Sequence, residues 1–209
     1  LYAYIDGLRE ARKVLVEQLT GSTITVAKDV KLQVEFNPAT VANYRLIGYE
    51  NRVMAAEDFR DDTKDAGEIG AGHSVTALYE VVPRGVAPGR GAEPLKYQQQ
   101  PEPPVLKGAD GEPSDDLLTV KLRWKQPAGS VSTLKEFPLA DRGGAFEEAS
   151  DDLRFASAVA SFGMLLRGSK ESGFVTYKKV GQIAGESLGA DPGSYRAEFT
   201  DLVRKAMKN

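Results

Sequence analysis

Cysteine is absent from these 209 residues, which excludes disulfides, thiolate metal sites and a cysteine nucleophile, and leaves the redox compartment open. Only one histidine is present, His73, so a Ser-His-Asp triad or a multi-histidine metal site must use that residue or does not exist. No stretch approaches the roughly 20 consecutive apolar residues that a membrane-spanning helix needs. Charge of one sign is also missing: 27 basic and 30 acidic residues nearly cancel, which removes the excess positive charge that nucleic acid or an anionic membrane would attract. At 41% hydrophobic and 27% charged, the composition is that of a folded chain large enough for one sizeable core or two small ones. Leu1 to Tyr4 is neither a start methionine nor a charged leader, so the sequence reads as a piece of something longer.

What is present begins with a helical pattern. Asp6 can cap a helix whose apolar positions Leu8, Ala11, Val14, Leu15 and Leu19 share one face, ending at Gly21. Thr23 to Ala27 is short and β-branched. Val30, Leu32, Val34 and Phe36 then alternate with Lys31, Gln33 and Glu35, the period of a half-buried strand. Asn37-Pro38 closes that strand, and Tyr44 to Glu50 resumes as a second one, expected to pair antiparallel with the first. Further strands are expected at His73 to Val82, at Leu118 to Lys125, and at Val131 to Leu139 across the Pro127-Ala-Gly-Ser turn. Five or six strands point to a sandwich or barrel. Pro83 to Pro113 interrupts them with seven of the eleven prolines and five glycines, and reads as a flexible loop, a polyproline docking strand or a linker. Strand patterns on both sides favour the loop.

From Ala149 the period changes to that of a helix. Leu153, Ala156, Val159, Ala160, Gly163 and Leu166 form an apolar stripe that Ser150 or Asp151 can cap and Gly168 can end. Tyr177, Val180, Ile183, Ala184 and Leu188 make a second helix. Asp191-Pro192 starts a third through Tyr195, Phe199, Leu202, Val203 and Ala206. The fold class expected is α+β: an N-terminal helix over 1–21, a β-sandwich-like module over 22–140 with the Pro-rich loop 83–113, and a helical subdomain over 141–209.

Chemistry-bearing patterns are few. The acidic run Asp58, Asp61, Asp62, Asp65 and Glu68 offers hard oxygen ligands for a cation, although its spacing is not that of an EF-hand. Gly67, Gly70 and Gly72 lack the Gly-Lys-Ser/Thr ending of a phosphate loop and precede a strand, so they read as a turn. The adjacent carboxylates Asp61-Asp62, Glu147-Glu148 and Asp151-Asp152 do not by spacing face one another across a cleft, and the last pair suits a helix start. Trp124 with Tyr44 and Tyr49 could build a sugar platform or belong to the core. His73 follows the glycine turn with no partner implied by spacing.

The runs EARKVLVEQL, KLQVEFNPATVANYRLIGYENR, DFRDDTKDAGEIGAGHSVTALYE, TVKLRWKQP and DDLRFASAVASFGMLLRGS resemble the C-terminal region of bacterial von Willebrand factor A domain-containing proteins of the YfbK type. The resemblance covers nearly the whole chain outside the Pro-rich loop. It implies that 1–19 is the last helix of a preceding von Willebrand A domain, in a protein exported to the cell envelope or periplasm, often as a lipoprotein. The Asp-x-Ser-x-Ser adhesion motif of that domain does not occur here, so its divalent cation belongs to the preceding domain and no cofactor is expected in this chain. The expected role is a non-catalytic accessory or protein-interaction module. The competing expectation is a carbohydrate- or cation-binding module using Asp58 to Glu68, with an enzyme third.

Overall fold

A computed structural model describes residues 4–18, 24–48, 53–85 and 114–208. The fold is α+β, with two antiparallel sheets and a helical C-terminal part. Two compact units divide it, one of residues 1–44, 51–75 and 81–141, the other of residues 45–50, 76–80 and 142–209.

In the first unit, α1 (Leu8–Arg12) starts with Gly7 accepting from the Ala11 N–H at 2.9 Å, one residue later than the expected Asp6 cap. It continues as a π-helical turn, Lys13–Gln18. The expected end at Gly21 lies outside the described residues. Four strands follow as one sheet: β1 (Thr25–Phe36), β3 (Gly67–Gly70), β5 (Asp116–Lys125) and β6 (Ser132–Ala140), in the order β3-β1-β5-β6. The two strand fragments expected at Thr23 to Ala27 and from Val30 are a single strand. A bulge carries it through the charged Lys28-Asp29 pair: Lys28 faces Lys125, Lys31 faces Arg123, and Asp29 between them takes φ 49°. β3 was not foreseen, because glycines have no strand pattern. Its glycines pair through backbone groups, Thr25 with Gly70 and Val30 with Gly67, and only Gly72 beyond it turns, at φ 79°.

Directly opposed residues of antiparallel strands lie on one face. Leu32, Val34 and Phe36 oppose Leu122, Val120 and Leu118, and Phe137 and Leu139 extend that apolar face onto β6. Lys31, Gln33 and Glu35 oppose Arg123, Lys121 and Thr119 on the other, where Lys121 bonds Glu35 at 2.5 Å.

β2 (Val41–Ile47) does not pair with β1, contrary to expectation; its partner is β4 (Leu78–Pro83) in a separate two-stranded sheet. Asn37 supplies the reason. Its N–H still donates to Leu117 O, but its carbonyl accepts from Val41 N–H at 2.8 Å and its side-chain amide donates to Asp116 O at 2.7 Å. The chain is thus tied to β5 at the moment it turns away, which no two-residue hairpin would do. β4 starts five residues later than the expected His73.

In the second unit, α2 (Asp151–Leu166), α3 (Tyr177–Glu186) and α4 (Tyr195–Ala206) enclose Ala158, Phe162, Val180, Ala184 and Val203. Ser150 caps α2 by accepting from Leu153 N–H at 3.3 Å and Thr176 caps α3 by accepting from Lys179 N–H at 3.2 Å. The expected stripe on α2 is corrected: Leu153, Val159 and Leu166 are exposed, and the packed side carries Phe155, Ala158, Phe162 and Leu165. α2 is apolar on most of its circumference, so periodicity admits several stripes and ring geometry decides. Phe162 meets Phe199 and Tyr177 edge-to-face with centroids at 5.4 and 5.9 Å.

α4 begins at Tyr195, later than the expected Asp191-Pro192 start. Asp191 nevertheless serves its N-terminus by accepting from Ala197 N–H at 3.0 Å. Burial would raise the Asp191 carboxyl, but the N–H groups of Ala197, Arg196 and Tyr195 outweigh it and hold the group below its ordinary value. Leu202, expected in the core, is exposed, while Thr200 is buried with its hydroxyl on Arg196 O. Phe162→Ala is expected to cost about 3–5 kcal/mol, measured by urea unfolding of the whole chain.

Candidate functional site

Residues 56–66 follow a sequence with little strand or helix tendency, and they fold by borrowing cations from the sheet. Phe59, buried in a single 3-10 turn (Ala56–Phe59), anchors the segment. Lys31, only 4% exposed, sends its ammonium to the carbonyl of Asp58 at 3.1 Å and to that of Asp61. A buried ammonium requires such acceptors, and the loop carbonyls provide them. Lys125 donates to Asp62 O at 2.9 Å and to the Asp29 carboxylate at 2.7 Å, while Arg123 reaches the Asp62 carboxylate at 3.3 Å. Lys64 pairs with Asp58 at 3.7 Å.

The remaining oxygens are also engaged. Asp61 accepts from the Thr63 N–H at 2.8 Å and its hydroxyl at 2.6 Å, and Glu68 from the Thr25 hydroxyl at 3.4 Å. Ala66 N–H donates to Asp29 at 3.3 Å. Asp65 contributes its charge to Lys125. The five candidate cation ligands therefore lie on one stretch, but Asp58, Asp61 and Asp62 face the protein's own cations or hydroxyls. Among the described residues no three His, Cys, Asp or Glu side chains converge as a metal cage.

Three carboxyls here lie below their ordinary value of 3.8. Asp29 is lowered first by its bond from Lys125, Asp61 by the Thr63 hydroxyl, and Asp62 by Ser132, with Arg123 assisting. Lys125 is raised above 10.5, chiefly by the Asp29 bond against the cost of desolvation.

The other candidates are dispersed. His73 is exposed just past the β3 turn, its N–H on Gly70 O. Glu148 folds back on Ala145 N–H, and Asp152 pairs with Arg196, whose guanidinium also covers the Phe155 ring at 4.9 Å. Tyr44 stacks on Phe36 with centroids at 4.2 Å, so its ring face is already used. Tyr49 and residues 86–113 of the Pro-rich loop lie outside the described residues. What the sequence reading missed were the partners of the acids: Lys31, Arg123 and Lys125 stand on alternating polar positions that look like a solvated face. The one signal was the run of cations at equivalent positions on two strands.

Residues 21–208 match the family model described as "Uncharacterized protein YfbK, C-terminal". The chain belongs to that family. It is 43% identical over 205 residues to "Uncharacterized protein YfbK" of Escherichia coli (strain K12), a match covering 98% of this chain and 34% of the relative. The YfbK C-terminal region seen here thus spans about a third of the length of that relative. No solved structure matches the chain.

In this YfbK C-terminal chain, Lys31→Met removes the ammonium that the carbonyls of Asp58 and Asp61 accept from in addition to the N–H groups of Asp61 and Lys64, and is expected to cost about 1–3 kcal/mol in urea unfolding. Carboxyls depressed on folding stabilise fully above 3.8, and the contribution is lost as pH falls through their lower folded values. Stability should therefore drop from about pH 5 to about pH 2, and Asp29→Asn should flatten that limb. Raised Lys125 acts oppositely, contributing fully below 10.5 and losing its effect as pH climbs through its higher folded value.

Proposed function

We propose that the chain is a non-catalytic accessory and protein-interaction module, the C-terminal part of an exported envelope protein, working beside a von Willebrand A domain that carries the divalent cation. The observation that carries this reading is the N-terminal segment, where Tyr4, Ile5, Leu8, Leu15 and Val16 stand exposed, Leu8 at 88%. Clustered exposed apolar side chains mark surfaces that meet another protein. The length of the relative outside the matched third supplies room for such a neighbour. Export and lipid anchoring rest on the resemblance alone.

The ion pairs of residues 58–68 support placing the cation chemistry elsewhere, since a metal held by these carboxylates must first displace Lys64 from Asp58 and Arg123 from Asp62. Calcium and magnesium titration of this chain and of the full-length protein, read by melting temperature, tests the reading. A cation at about 100 times its Kd should raise Tm by roughly 5–10 °C in the full-length protein and leave the chain unchanged. A shift in the chain by itself would place a cation site within it and favour the cation-binding alternative.

A further inference from the structure

We propose that the apolar face of the four-stranded sheet docks the polypeptide that precedes this region in the longer relative, an inference that rests on the multidomain reading above. The face is built from Leu32, Leu122, Trp124, Phe137 and Leu139, with Lys135 set among them opposite Leu122. Leu32, Phe137 and Leu139 are 54%, 44% and 54% exposed. In the first unit the buried apolar side chains among the described residues are Phe36, Val41 and Phe59, whereas the helices of the second unit enclose their own core. A sheet must bury its apolar face against a second layer. The polar face already carries residues 56–66, so among the described residues the side left open, at Leu32, Phe137 and Leu139, is the one that water disfavours.

Two arguments choose the occupant. The relative holds two further thirds of its length outside the matched region, and covalent linkage presents that polypeptide at an effective concentration on the order of millimolar, ahead of any free partner. Lys135, with its ammonium 5.4 Å from the Phe137 ring centroid, is the charged residue of the face, and among the described residues no carboxylate opposes it in the strand register there. Face-to-face pairing of two copies would bury two ammoniums with no counter-charge. The occupant is accordingly an apolar surface of the same polypeptide bearing a carboxylate for Lys135.

The absence of cysteine makes thiol labelling the direct test. Leu139→Cys, and Phe137→Cys should the first fail to fold, are labelled with iodoacetamide in this chain and in the full-length protein, with rates read by peptide mass spectrometry. Labelling at least tenfold slower in the full-length protein is expected, with Leu134→Cys on the opposite face unchanged. Equal rates at Leu139→Cys would overturn the proposal, as would slowing of Leu134→Cys to the same degree. Protection in the chain alone overturns it too, by a second copy if it fades on dilution and by the chain's own residues if it does not. The cation titration is independent: a shift in the chain alone defeats the accessory reading without altering the labelling ratio, and equal labelling defeats the docking face without altering the titration.

Discussion

One extra residue in β1 governs the polar half of the sheet unit. The bulge at Asp29 puts Lys28 and Lys31, three apart in sequence, opposite Lys125 and Arg123 on the same face. It also turns the Asp29 carboxylate onto Lys125. Without the inserted residue, the strict alternation of a strand would send Lys28 to the apolar face. With it, cations gather where residues 56–66 can reach them, and a loop with little intrinsic structure is held by carbonyl and carboxylate contacts. The acidic stretch is thus a structural counter-charge to the sheet.

The two units are stabilised differently. The helices rely on interlocked aromatic rings and on Ser150 and Thr176 as caps. The sheet unit buries few apolar side chains among its described residues and carries ion pairs that are partly shielded from solvent. Such pairs give direction and register more than they give free energy. The sheet is amphipathic: its polar face is engaged by residues 56–66, while Leu32, Phe137 and Leu139 on the other face stand exposed among the described residues.

The candidate site was only half legible from the residues. The acids at 58, 61, 62, 65 and 68 are conspicuous because they are close in sequence. Their partners are not, since Lys31 lies 27 residues from Asp58, and Lys125 lies 96 residues from Asp29. β3 was invisible for a related reason: strand recognition relies on side-chain alternation, and Gly67 and Gly70 pair through backbone groups that every residue has. On α2, apolar residues around most of the helix left the buried side to the neighbouring rings.

The family rests on the likeness of whole runs of residues, while local pattern by itself determined the α+β class, the hairpin of β5 and β6 and the three C-terminal helices. Those features follow from periods of two and 3.6, from caps, and from turn residues, all of which act within a few positions. Tertiary structure alone decided that β2 leaves β1 for β4, that Gly67–Gly70 is an edge strand, that Asp58 and Asp62 meet the protein's own cations, and which sheet face is open among the described residues. Each of these is a pairing between distant segments, and its energy depends on which groups meet after the chain has folded.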